Sequence, residues 1–212
     1  MTIRVLLADD HALMREGLRA LLATASDIEV VGEVRTGREA QRQVAQLHPD
    51  VVLMDVAMPD LNGIEAARLI HAKCPAVRIV MLSMHATAEY VYRAFEAGAC
   101  GYLLKEVAVE EVITAVRTVH ARKQYLSPAL AASVPDAASG YARGPVDSLS
   151  TRERQVLQLV VEGHTSSAIA GMLHLSPKSV ETYRSRLMAK LDVRDVPALV
   201  KFALAHGLTS AG

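Results

Sequence analysis

The sequence is first informative in what it lacks. No stretch approaches the roughly 18 uninterrupted apolar residues that a membrane-spanning helix needs, so no contact with a bilayer core is expected. The chain runs directly into Ile3-Arg4-Val5-Leu6-Leu7-Ala8, a strand pattern rather than a signal peptide. Cysteine is scarce: Cys74 and Cys100 stand far apart and outside any paired motif, which points to buried thiols in a reducing cytoplasm rather than to a disulfide framework. There is no internal repeat. Net charge is also absent, with 23 Lys/Arg balancing 23 Asp/Glu, and this excludes no partner because charge can be divided between regions.

The charge is divided. Residues 1–123 hold 14 Lys/Arg against 16 Asp/Glu, whereas residues 150–212 hold 8 against 5. Lys178, Arg184, Arg186 and Lys190, against Glu181, concentrate the excess in one segment. Such clustering matters more to nucleic acid than total charge does. Apolar residues make up 51% of the 212, enough for substantial cores, and the length suits one medium and one small domain.

The patterning predicts strands near 3–9, 28–34, 51–55, 77–83 and 100–104, alternating with helices near 12–24, 37–47, 62–73, 87–97 and 109–121. The run Val51-Val52-Leu53-Met54 is apolar at successive positions, as in a parallel sheet covered by helices on both faces. Five βα units with right-handed crossovers fit a doubly wound, flavodoxin-like α/β fold with a five-stranded parallel sheet in the order 2-1-3-4-5. Composition shifts near residue 127 to an Ala/Ser/Gly/Pro-rich stretch that reads as a linker with room for one helical turn. An all-helical pattern follows, near 151–162, 166–173, 177–191 and 195–206. Ser150 and Glu153 have capping-box spacing, Gly163 fits just past a helix end, and Ser176-Pro177 fits an N-cap followed by proline. The expected domains are 1–123, a linker over 124–147, and 148–212.

The chemistry lies at strand ends. Asp55 closes the third strand, where open α/β sheets bind ligands, although an isolated Asp before a loop is more often a cap. Asp9 and Asp10 close the first strand, which neighbours the third in this order. Three converging carboxylates raise one another's pKa unless a cation neutralises them. A hard divalent ion with oxygen ligands is the natural occupant, and Mg²⁺ accepts one or two carboxylates plus water and phosphate oxygens. The fourth strand ends in Ser83, a hydroxyl donor, and the fifth leads into Lys105, a mobile point charge suited to a phosphoryl group.

With these residues assembled, 1–123 resembles a response-regulator receiver domain, and the Asp9-Asp10-His11 opening is similar to the NarL/FixJ subgroup. The resemblance implies that Asp55 accepts a phosphoryl group from a sensor histidine kinase. It further implies that Asp9, Asp10, Asp55 and the Ala57 carbonyl hold Mg²⁺, that Ser83 and Lys105 contact the phosphoryl oxygens, and that Tyr102 is a switch aromatic. Receivers commonly carry proline after the lysine; here Glu106 follows Lys105.

The segment Leu149-Ser150-Thr151-Arg152-Glu153 onward, together with Ile169-Ala170-Gly171-Met172-Leu173 and Ser176 through Leu191, resembles a LuxR-type helix-turn-helix over nearly all of 149–208. At about 100° per residue, Val180, Leu187 and Leu191 share one face, with Lys178, Thr182, Ser185 and Ala189 opposite. That polar, small-residue face suits a major groove. The resemblance implies base or groove contacts from Lys178, Glu181, Thr182 and Ser185, and phosphate contacts from Arg184 and Arg186. Tyr183 stands where the family often has His, and either reaches phosphate or packs. Ser166-Ser167-Ala168 stands where Asn-Lys-Glu is common. Val196, Leu199, Val200, Phe202, Ala203 and Leu204 carry more apolar surface than a lone small core needs, and the resemblance implies that this helix makes a homodimer on double-stranded promoter DNA, with RNA polymerase a candidate further partner and the cytoplasm the expected location.

The leading expectation is a phosphorylation-regulated transcription factor, not an enzyme. An aspartate-nucleophile phosphatase would place a second acid two positions after Asp55, where this chain has Ala57. A constitutive DNA-binding protein with a vestigial receiver is the other alternative.

Overall fold

A computed structural model describes residues 2–131, 144–206 and 208. Most of the Ala/Ser/Gly/Pro-rich linker stretch, residues 132–143, lies outside them. The described chain forms two compact units, one ending with Ala131 and the other beginning with Gly144.

The first unit runs β1 (Ile3–Ala8), α1 (Ala12–Leu22), β2 (Ile28–Val34), α2 (Gly37–Leu47), β3 (Val51–Asp55), α3 (Gly63–Lys73), β4 (Arg78–Ser83), α4 (Ala88–Glu96), β5 (Gly101–Leu104) and α5 (Ala108–His120). It closes with β6 (Tyr125–Leu126) and the single turn α6 (Pro128–Ala131). All strand pairs are parallel, in the order β2-β1-β3-β4-β5-β6. Both faces of the central strands are buried, which is why their sequences are apolar without alternation. Val5, Leu7, Leu53, Val80 and Leu82 join Leu18 and Leu22 of α1 and Val112, Val116 and Val119 of α5 in one core. The intervening Leu6, Val52, Met54, Ile79 and Met81 are equally buried and, by the two-residue period, face the other side. Each such side chain contributes about 1.5–3 kcal/mol relative to exposure.

The sheet holds six strands rather than the expected five. Strand β6 is only two residues long and half-buried, too short for any periodicity to register. It is fixed by long-range bonds instead: Tyr125 N donates to Cys100 O and Ser127 N to Tyr102 O, each at 3.0 Å. The Glu111 carboxylate also accepts from Tyr125 Oη and Ser127 Oγ. This pairing lies within residues expected to be linker.

The second unit opens with a 3₁₀ turn (Pro145–Ser148) and continues with α7 (Thr151–Val161), α8 (Ser166–Leu173), α9 (Pro177–Lys190) and α10 (Val196–Ala205). Val156, Leu157 and Val160, Ile169 and Leu173, Val180 and Leu187, and Leu199 and Ala203 bring all four helices into one core. Local signals set the boundaries. Ser150 Oγ accepts from Glu153 N while Glu153 Oε2 accepts from Ser150 N, completing the expected capping box. Ser176 caps α9 ahead of Pro177, and Gly163 takes φ +86° just beyond α7, where glycine carries no Cβ penalty.

Cys100 is buried, Cys74 is half-buried, and both are free thiols. Among the described residues, no helix is long and apolar enough to cross a membrane.

Candidate functional site

The pocket forms where β1, β3 and β5 end. β1 and β3 are direct neighbours, so the chain leaving Ala8 delivers Asp9 beside Asp55. Asp55 is only 2% exposed, and β5 hands Lys105 across from the far side of β4. Lys105 Nζ lies 2.7 Å from Asp55 Oδ2 and 2.8 Å from Asp9 Oδ2. Its ammonium bridges two buried carboxylates. Lys105 begins a 3₁₀ turn through Val107, and no cis peptide bond occurs among the described residues.

The electrostatics follow from burial. Desolvation and the neighbouring Asp9 charge push the Asp55 carboxyl up to about 6, against the opposing pull of Lys105 and of the Ala57 N–H. Burial works to lower the Lys105 pKa, but the charge and hydrogen bonds of Asp55 and Asp9 outweigh it and hold the ammonium above its ordinary value. A buried carboxylate beside a fixed cation has the chemistry that nucleophilic attack requires.

His11 contributes more than the sequence suggested. Its Nδ1 lies 2.8 Å from Asp10 Oδ1, 3.2 Å from Asp9 Oδ1 and 4.0 Å from Asp55 Oδ2. One ligand atom each from Asp9, Asp10, His11 and Asp55 falls within 4.8 Å of the others. Asp9 Oδ2 and Asp10 Oδ1 are buried, the first beside the Lys105 ammonium and the second beside the His11 ring, with no other partner among the described residues. The three carboxylates of that group give hard oxygen donors that fit a divalent cation such as Mg²⁺.

Ala57 stands two residues beyond Asp55, and its N–H donates to Asp55 Oδ1 at 3.2 Å. Its methyl side chain offers no acid or base where a phosphatase would need one. Ser83 ends β4, and its Oγ accepts from His85 N at 3.0 Å. Tyr102 is fully buried and donates to His85 O at 2.9 Å. Ser83 and Tyr102 therefore hold the same loop segment, one at each end of His85, whose ring stacks on Tyr90 at 4.4 Å.

Two supporting residues escaped the sequence reading. A Cβ on Gly63 would lie 1.9 Å from the Asp55 carbonyl oxygen, so α3 approaches the Asp55 backbone as only glycine permits. The buried Arg15 donates from Nη1 to Asp9 O at 2.6 Å, fixing the strand end. The Asn62-Gly63 pair was the only local hint of the first; nothing local marks the second. Beside Lys105 opens a largely apolar cavity of about 560 Å³, lined by His11, Leu13, Met14, Leu18, Met84 and Lys105 among others.

In the second unit, α9 presents Lys178, Glu181, Thr182, Ser185 and Arg186 to solvent and buries Val180 and Leu187. Tyr183 is half-buried, with its ring packed against the core. Arg184 is half-buried and donates from Nη1 to Ser166 Oγ at 2.9 Å.

Comparison with known proteins decides the family. Residues 5–117 match the response regulator receiver domain, and residues 147–203 match the luxR family of bacterial regulatory proteins. The chain is a response regulator with a LuxR-type DNA-binding domain. This response regulator is 41% identical to the transcriptional regulatory protein MctR of Rhizobium johnstonii, over 98% of this chain and 96% of that one. It is 37% identical to the response regulator UvrY of Escherichia coli K12, covering 99% and 97%. A LuxR-family response regulator structure from Aurantimonas superposes with a TM-score of 0.61 at 36% identity, covering 63% of this chain and 96% of that one. As a member of this family, the response regulator is a phosphorylation-controlled, DNA-binding transcription regulator.

Proposed function

We propose that Asp55 accepts a phosphoryl group from a sensor histidine kinase, and that the added charge governs dimerisation and promoter binding by the C-terminal helices. The observation that carries this reading is the bridge from Lys105 to Asp55 and Asp9 at 2.7 and 2.8 Å. The Asp55 carboxylate oxygen attacks phosphorus as the bond from phosphorus to the kinase's histidine nitrogen breaks, and the imidazole departs with that electron pair. Lys105 then turns from the carboxylate to a phosphoryl oxygen, and Ser83 donates its hydroxyl to another. Asp9, Asp10, Asp55 and the Ala57 carbonyl would hold Mg²⁺, which when bound offsets the charge gathering on the phosphoryl oxygens.

The product carries about −1.5 to −2 charge. Drawing Ser83 toward it disturbs the bond from His85 N, and Tyr102, bound to the other side of His85, is the natural follower. The cavity beside Lys105, with Leu13 and Met84 exposed at its walls, supports a protein partner delivering the phosphoryl group.

On this reading the receiver is 1–123, the linker 124–147 and the DNA-binding domain 148–212. Lys178, Glu181, Thr182, Tyr183, Arg184, Ser185 and Arg186 are the candidate contacts to double-stranded promoter DNA. Homodimerisation on DNA draws support from α10, where Leu204 is exposed and Val196, Val200 and Phe202 are half-buried. RNA polymerase would be met at the promoter, in the cytoplasm. The test is incubation with acetyl phosphate and Mg²⁺, followed by intact-mass measurement. Wild type gains one phosphoryl group and Asp55→Asn gains none; equal labelling overturns the assignment.

A further inference from the structure

The departure at Ser166 acquires a role in the fold. Ser166 opens α8 directly after its N-cap Thr165, which sets its hydroxyl against the first half of α9. Ser166 Oγ donates to Glu181 Oε1 and accepts from Arg184 Nη1 at 2.9 Å. Arg184 Nη1 also lies 3.4 Å from Glu181 Oε1. The three side chains close a ring, and two of its three bonds converge on one carboxylate oxygen. Glu181 Oε2 has no partner among these contacts, and the Glu181 side chain is 59% exposed against 28% for Arg184.

A carboxylate on a groove-entering helix faces a duplex carrying one negative charge per roughly 1.7 Å of axis. It is tolerated there only with a cation at its back, and Arg184 supplies one. What remains is a single, oriented acceptor with no hydrogen to donate. In the major groove, guanine offers acceptors at N7 and O6, and thymine an acceptor at O4, all of which repel it. Adenine offers an amine beside the N7 acceptor, a pair that suits an amide side chain. Cytosine offers its N4 amine without a neighbouring acceptor.

We propose that Glu181 reads a cytosine N4 amine in each half-site, and that Ser166 and Arg184 are positioning residues that aim and neutralise its carboxylate. The proposal rests on the reading of α9 as the helix that enters the groove. It removes Arg184 from the phosphate contacts and gives Ser166 a part in sequence choice.

The experiment is selection from a randomised duplex library by the full-length protein treated with acetyl phosphate and Mg²⁺, with sequencing of the bound fraction. Wild type enriches a C·G pair at one position of each half-site. Glu181→Gln loses that preference by roughly tenfold and shifts it toward adenine, which an amide pairs twice, with other positions unchanged. Ser166→Ala weakens the same position and Ser166→Thr restores it, a rescue that a merely structural hydroxyl would not confine to one base. Circular dichroism shows whether Glu181→Gln folds; if it does not, the Ser166 pair decides. An unchanged motif in folded Glu181→Gln or in Ser166→Ala, or a wild-type preference for a base other than cytosine at the affected position, overturns the proposal. Enrichment of no motif by wild type overturns it together with the reading of α9.

Discussion

The Asp55 carboxylate lies 2.7 Å from the Lys105 ammonium, yet its pKa is raised to about 6 rather than lowered. Burial and the second carboxylate of Asp9 outweigh the attraction of the one cation. Several consequences for stability and activity can be measured.

A carboxyl that binds its proton more tightly in the folded state than in the unfolded chain loses stability as pH rises. For Asp55 the window runs from the ordinary value of 3.8 to about 6. Below it the penalty is absent; above it the penalty is complete, at about 3 kcal/mol. In EDTA, Asp55→Asn is therefore expected to unfold at higher urea than wild type at pH 7, with the gap narrowing toward pH 4. A gap independent of pH would contradict the raised pKa.

Gly63 sits where a Cβ would press to 1.9 Å from the Asp55 carbonyl. Gly63→Ala must move α3 or the end of β3, at about 1–3 kcal/mol as for an overpacked core. Phosphoryl uptake from acetyl phosphate is expected to slow along with the loss of stability. Wild-type uptake by a destabilised variant would show that the pocket around Asp55 tolerates the shift.

Lys178 and Arg186 are exposed on α9. Alanine at Arg186 should weaken binding to all duplexes alike and flatten the salt dependence by about one unit of log slope, as for a lost phosphate contact. Alanine at Lys178 should weaken binding and relax base preference. Gel shifts across salt concentrations separate the two, and affinities that do not move would remove both residues from the interface.

Ser150→Ala removes one half of the capping box of α7 and is expected to lower the stability of the C-terminal unit by about 1 kcal/mol. Thermal melts monitored by circular dichroism would show it; no change would mean that packing alone fixes the helix start.

The alternation of strands and helices was legible because both faces of the sheet are covered, so β1, β3 and β4 carry uninterrupted apolar runs. Asp9, Asp55, Ser83 and Lys105 were legible as candidates because each stands at or just beyond the end of such a run. What escaped reading depends on residues distant in sequence. Strand β6 has two residues and owes its place to bonds with Cys100 and Tyr102. Arg15 reaches back to the Asp9 carbonyl, and Gly63 matters only because α3 lies against Asp55. Ser166 read simply as a departure from a common Asn; its partners Glu181 and Arg184 lie 15 and 18 residues away. Periodicity reports which face a residue takes, not which distant atom it meets.

The central claim is that charge placed on Asp55 controls the grip of α9 on DNA. It is tested most directly by measuring the affinity of the full-length protein for a selected duplex before and after acetyl phosphate with Mg²⁺, in wild type and in Asp55→Asn. The expected result is a change of tenfold or more, on the order of 1.4 kcal/mol, in wild type and none in the variant. An equal response in both, or no response in a wild type shown by mass to be phosphorylated, would contradict the account.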